Sequence, residues 1–206
     1  MTLRAPAFWL DVAVKTSLVG LLVFAVARPD LPQFHGKAML GRALTYPIAA
    51  LIVPVAWWLL SRSRPREYPY ALDVLLVLPF LIDVVGNAAD LYDSISWWDD
   101  LNHFVNWGIL VSAFAQLLIR LRLERWVAAG LAVGFGAVTA VLWEFAEYYT
   151  FIRNSPEVRT AYTDTLGDLA LGLSGSVVAA VLMITVLWPE REAARAPAPA
   201  DSRATR

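Results

Sequence analysis

Six stretches of this chain each approach the roughly 20 apolar residues that an α-helix needs to cross a hydrocarbon core of about 30 Å. They cover 8–27, 40–60, 71–91, 100–119, 126–149 and 165–188. Lipid offers backbone amides no water, so each stretch must close its own hydrogen bonds as a helix. The expected fold class is therefore all-α: a polytopic integral membrane helical bundle of about six transmembrane helices. Six crossings within 206 residues leave no length for a soluble domain, so 1–188 reads as a single transmembrane bundle. Residues 189–206, rich in Ala, Pro and Arg, have little to bury and read as a disordered cytoplasmic tail. A hydrophobic share of 58% and nine tryptophans agree with the membrane class, as does a mean hydropathy of +0.54.

Charge placement carries more information than total charge. A formal net charge of -1 gives no reason to expect a nucleic-acid partner. The chain has no cysteine, which excludes disulfides, thiolate metal sites and a thiol nucleophile, so any metal needs oxygen or imidazole ligands. Alternate connectors hold Arg4, then Arg62, Arg64 and Arg66, then Arg120, Arg122 and Arg125, then Arg191, Arg195, Arg203 and Arg206. The other side receives Arg28, Lys37, Arg42, Arg153 and Arg159. Basic residues concentrate in cytoplasmic loops, so both termini are expected in the cytoplasm. Ala25-Val26-Ala27 resembles a signal-peptidase site, but Asp11 and Lys15 interrupt the apolar run before it. Their i,i+4 spacing lets them pair on a retained first helix. Trp57 with Trp58, Trp97 with Trp98, Trp126, Trp143, Tyr148 with Tyr149, and Trp188 fall near span ends, as an aromatic belt requires.

With that orientation the carboxylates gather at the extracytoplasmic leaflet. Residues three, four or seven apart share a helix face. Asp83, Asn87 and Asp90 make one polar stripe on the third span, and Asp99, His103 and Asn106 make another on the fourth. Glu144 and Glu147 are i,i+3 on the fifth, and Asp164 and Asp168 are i,i+4 on the sixth, where Gly172 and Gly175 permit close helix approach. Carboxylates at a bilayer edge are costly unless paired, protonated or bound to a cation. The basic groups nearest in sequence are Arg153 and Arg159 of the adjacent loop. One imidazole among many carboxylate oxygens suits a divalent metal ion. The expected metal ligands are Asp99, His103, Glu144, Glu147, Asp164 and Asp168. Glu144, Glu147 and Asp168 are the catalytic candidates, and Asp83, Asn87, Asp90 and Asn106 the substrate-binding ones. Helix capping is the competing explanation for Asp99, Asp100 and Asp164. It does not explain His103 or Asp168, each a turn inside a helix, nor Glu144 and Glu147 at a C-terminal end. His35 reads as solvated, and Glu67, Asp73 and Glu124 as ordinary interfacial charges on the cytoplasmic side.

Three segments carry a family resemblance: Trp98-Asp99-x-x-x-His103-Phe104, Trp143-Glu144-x-x-Glu147, and Asp164-Thr165-x-x-Asp168 followed by a Gly-containing apolar helix. In order and spacing they resemble the YjdF-like predicted bacterial inner-membrane proteins. More distantly, they resemble the VanZ-like family, whose pattern usually carries a glutamine-type residue where Glu147 stands. The resemblance implies a multi-pass protein of the bacterial inner (plasma) membrane. Through the VanZ-like branch it implies a link to envelope chemistry or glycopeptide resistance. The resulting expectation is a carboxylate/His site that holds a divalent metal ion and acts on or binds a lipid-linked or cell-envelope substrate. No nucleophile elbow or phosphate-cradling loop supplies a reaction. Two alternatives stand beside it: an ion- or proton-coupled transporter using the same carboxylates, and a noncatalytic binding or immunity-type membrane protein. The transporter reading suffers from a cytoplasmic half that reads as nearly uncharged.

Overall fold

A computed structural model describes residues 4–188, apart from Arg122 and Phe151. Every element among the described residues is helical: α1 (Arg4–Ala27), α2 (Met39–Ser61), α3 (Tyr70–Ala88), the single turn α4 (Leu91–Ser94), α5 (Trp98–Leu118), α6 (Arg125–Thr150) and α7 (Ala161–Leu182), which a π-helical turn extends through Met183–Leu187. The tail expected over 189–206 lies outside the described residues. Among the described residues, five segments are long and apolar enough to cross a membrane: Pro6–Ala27, Met39–Ser61, Tyr70–Ala88, Arg125–Asn154 and Ala161–Leu187. Helix α5, at 21 residues, is also long enough but opens on Asp99, Asp100, Asn102, His103 and Asn106, which lower its hydropathy. Outer helix faces carry Leu44, Ile48, Leu51, Val138 and Leu142, each well exposed, as lipid contact requires.

The helices form two packed triplets. In the first, α1 lies on α3 and α2 covers both, around Val14, Leu18, Leu22, Tyr46, Val77 and Val84. In the second, α5, α6 and α7 pack around Val111, Ala115, Ala128, Ala132, Ala179 and Ala180. Small residues set the spacing of the second triplet, because helices in lipid associate by close van der Waals approach. A Cβ added at Gly175 would stand 2.0 Å from the Phe104 carbonyl oxygen of α5. The expectation that Gly172 and Gly175 permit close approach is met, with Gly172 seating the Trp107 indole. The triplets join along α3 and α5, so α5 packs against helices of both triplets.

Three boundaries near the carboxylates differ from the sequence reading. Helix α3 stops at Ala88, and Asp90 takes a left-handed conformation at φ 59°. That turn removes Asp90 from the stripe of Asp83 and Asn87 and leaves it exposed. Helix α7 begins at Ala161, with Thr160 as its N-cap, and α5 begins after Trp97; neither cap residue makes a side-chain hydrogen bond to the helix. Asp99, Asp100 and Asp164 therefore sit within first turns, where the helix dipole favours anions, and are not the cap residues.

Candidate functional site

The first two turns of α5 present Asp99, Asn102, His103 and Asn106 toward α3, α6 and α7. His103 is buried, and its ring faces carboxylates on three helices. Nε2 lies 3.8 Å from Asp99 Oδ1 on its own helix and 3.6 Å from Asp168 Oδ1 on α7, and Nδ1 lies 3.8 Å from Glu144 Oε1 on α6. These distances exceed hydrogen-bond length. His103 Nδ1 and Glu144 Oε1 are both buried without a hydrogen-bond partner. One ligand atom from each of Asp99, His103 and Asp168 lies within 4.8 Å of the others, and the same holds for His103, Glu144 and Glu147. Imidazole nitrogen with several carboxylate oxygens is a donor set that suits a divalent ion, and the buried unpartnered atoms are what such an ion would satisfy.

The expected residues divide clearly. Asp99, His103, Glu144, Glu147 and Asp168 converge. Asp164 is exposed on the first turn of α7, and Asp90 is exposed beyond the end of α3. Asp83 and Asn87 are buried together but belong to a separate network. Arg42 Nε donates to Asp83 Oδ2 at 2.7 Å and Arg42 Nη2 to Oδ1 at 3.3 Å. The Tyr46 and Tyr92 hydroxyls donate to Asp83 at 2.6 and 3.0 Å. Burial and then the charge of Asp83 push the Tyr92 phenol well above its ordinary pKa, so it stays a donor. Sequence reasoning counted Arg42, at the start of the 40–60 span, only as a basic residue of the extracytoplasmic side and so missed the cation that neutralises Asp83. It also missed Asn102, whose amide donates to the Trp98 carbonyl at 2.9 Å and whose oxygen accepts from Asn106 at 3.2 Å. The signal was present, since Asn102 precedes Asn106 by one helical turn.

A third polar group lies at the opposite end of α1 and α3. Lys15 Nζ lies 3.2 Å from Asp11 Oδ1, meeting the expected i,i+4 pairing, and also binds Asp73. The Tyr68 hydroxyl donates to Asp73 as well, and burial followed by that bond raises the Tyr68 pKa. Asp73 is fully buried, which corrects its reading as an interfacial charge. Glu67, Glu124 and His35 are exposed, as expected.

A cavity of about 280 Å³ adjoins the His103 cluster. Asp99, His103 and Glu147 form part of its polar wall, together with Arg42, Asn102 and Asn106, while Phe80, Trp107, Leu110, Phe135 and Trp143 make the rest apolar. Glu144 and Asp168 lie behind this wall. The site thus combines a buried ligand-type cluster with an adjoining space that one face of the cluster lines.

Comparison with known proteins agrees with a membrane protein and assigns no reaction. An uncharacterized protein of Thermotoga maritima is 31% identical over 102 residues, covering 47% of this chain. The chain spans about half the length of that curated relative, 52% of it. No solved structure matches. A family described as predicted membrane protein (DUF2238) matches residues 12–188, which include all three segments of the His103 cluster. The chain therefore belongs to the DUF2238 family of predicted membrane proteins.

Proposed function

We propose that this protein is a six-span protein of the bacterial inner membrane, with both termini cytoplasmic, that holds a divalent metal ion at the His103 cluster and binds or acts on a lipid-linked or envelope substrate there. One observation carries the reading: four carboxylates surround a buried histidine, and none of Asp99, Glu144, Glu147 or Asp168 meets a Lys or Arg within 4.0 Å among the described residues. Helix α5 serves as the sixth span, its polar first turns covered by α3, α6 and α7. The skew of basic residues supports the orientation, and the resemblance to YjdF-like and VanZ-like proteins supports the bacterial envelope setting.

His103 Nε2, Asp99 and Asp168 form one ligand set, leaving the Nδ1 hydrogen to face Glu144. Metal-ligating histidines commonly donate their second N–H to a carboxylate in this way. When bound, a divalent ion at this position supplies Lewis-acid polarisation of a substrate oxygen. Glu147, on the cavity wall, is placed to accept or return a proton, and Asn102 and Asn106 to orient a polar substrate group. The transporter alternative gains the buried Asp11–Lys15–Asp73 group. It lacks a polar route from that group to Asp83, about 15 Å along α3, because Leu18 and Val77 between them are fully buried and apolar.

Elemental analysis and Mn²⁺ titration of the full chain in nanodiscs test the reading. Wild type is expected to bind divalent ion, and His103→Ala to bind it about 10–100-fold more weakly. Equal uptake by the two proteins would overturn the assignment.

A further inference from the structure

The cavity beside His103 is too small to hold a whole amphiphile, since about 280 Å³ lies just under the ~300–1,000 Å³ typical of pockets that enclose a drug-sized ligand. Whatever it binds by one end must extend out of it. Its walls show where. Helix α2 packs on α1 and α3, and α6 packs on α5 and α7, so the two helices face each other across the cavity without an extended interface. Trp143 of α6 reaches over to the core of the first triplet, against the cluster that contains Tyr46 and Val77. The outer surface of α6 exposes Val138 and Leu142, and that of α2 exposes Leu44 and Ile48 on its far side, apolar surfaces suited to lipid. The inner end differs in character, with Glu147 and the buried, unpartnered His103 on the wall and the Arg42 guanidinium opposite.

We infer that the seam between α2 and α6 admits, from the bilayer, an amphiphile whose phosphate headgroup reaches the divalent ion proposed at His103 and whose chain leaves past Thr139 and Trp143. The inference rests on the divalent ion of the proposed function, because carboxylate-held hard cations complete their coordination with phosphate oxygens. The chemistry alone does not separate a lipid phosphate from a soluble phosphate ester; the apolar seam favours the lipid. Trp143 and Tyr46 then act as the side gate, and Trp143 must swing for a chain to pass.

The experiment uses full-length protein in nanodiscs with Mn²⁺ and trace phosphatidic acid carrying a diazirine in its acyl chain. Arms with the matching diacylglycerol and with millimolar glycerol 3-phosphate as competitor run in parallel. Cross-links are expected on peptides that contain Leu110 and Phe135, about tenfold fewer with diacylglycerol, and undiminished by glycerol 3-phosphate. Thr139→Trp, which fills the cavity, should abolish these cross-links while Mn²⁺ uptake stays at the wild-type level; Leu110→Trp fills it from the opposite wall if the first variant folds poorly. Labelling confined to Val138 and Leu142 and indifferent to either variant would overturn lipid entry. Equal labelling by diacylglycerol would overturn phosphate recognition, and full competition by glycerol 3-phosphate would assign the site to a soluble ester. Mn²⁺ uptake without cavity labelling removes this inference and leaves the metal site standing. Wild type that takes up no Mn²⁺ removes the metal site itself.

Discussion

The two helix triplets treat buried carboxylates in opposite ways. In α1–α3, each buried acid touches a cation of the same chain: Asp11 and Asp73 share Lys15, and Asp83 takes the Arg42 guanidinium with two tyrosine hydroxyls and the Asn87 amide. In α5–α7, Asp99, Glu144 and Asp168 gather around a histidine, and none has a Lys or Arg within 4.0 Å among the described residues. Burial penalises ionised carboxylates in both places. The first arrangement offsets the cost with groups fixed by the sequence and therefore acts as scaffold. The second has no such cation within 4.0 Å among the described residues, and this contrast is the basis for the binding site proposed there.

Removing the cation from the first triplet should have the largest effect. Arg42→Ala leaves Asp83 buried and uncompensated, a change that costs about 3–5 kcal/mol. Thermal unfolding in detergent should show this loss, and added Mn²⁺ should not restore it. A drop no larger than that of an exposed control such as Arg64→Ala would erase the distinction between the triplets.

A smaller loss is expected at the packing that holds the second triplet together. Gly175→Ala drives a methyl into the Phe104 carbonyl, a clash with backbone that no rotamer relieves. Overpacking of this kind costs about 1–3 kcal/mol. Because α7 must then move away from α5, Asp168 should separate from His103 and Mn²⁺ affinity should fall with stability. Retained affinity in a destabilised protein would show that the cluster does not depend on the glycine contact.

The smallest change in stability, and the sharpest contrast, belongs to Asp168→Asn. Without metal, the amide removes a buried charge from among like charges, so unfolding should be unchanged or shifted slightly upward. With Mn²⁺ at one hundred times its dissociation constant, wild type should gain about 2.7 kcal/mol and the variant little or none. If Asp168→Asn is instead as damaging as Arg42→Ala, both triplets are scaffold and the binding-site assignment fails.

What the sequence made legible follows from local periodicity. Apolar length gave the helices, and spacings of three and four put Asp99 beside His103 and Glu144 beside Glu147, because these relations lie within one or two turns. Relations across the fold were hidden. Arg42 meets Asp83 over 41 residues of separation, and its place in the first turn of a span names no partner on another helix. Asp73 likewise looks interfacial until α1 brings Lys15 to it. Asp90 failed for another reason: helical phase predicts a shared face only while the helix continues, and the left-handed turn at that residue ends it.

The polar opening of α5 also bears on how the molecule is made. A segment beginning with two aspartates, two asparagines and a histidine partitions poorly from the translocon into lipid when it emerges alone, since charged side chains raise the insertion free energy. Its covering surface comes partly from α7, whose Gly175 rests on the Phe104 carbonyl but which is synthesised more than forty residues later. Ribosome-stalled chains ending before Ala161 should therefore hold α5 at the bilayer surface or beside the insertion machinery, and the His103 cluster should assemble only as α7 arrives.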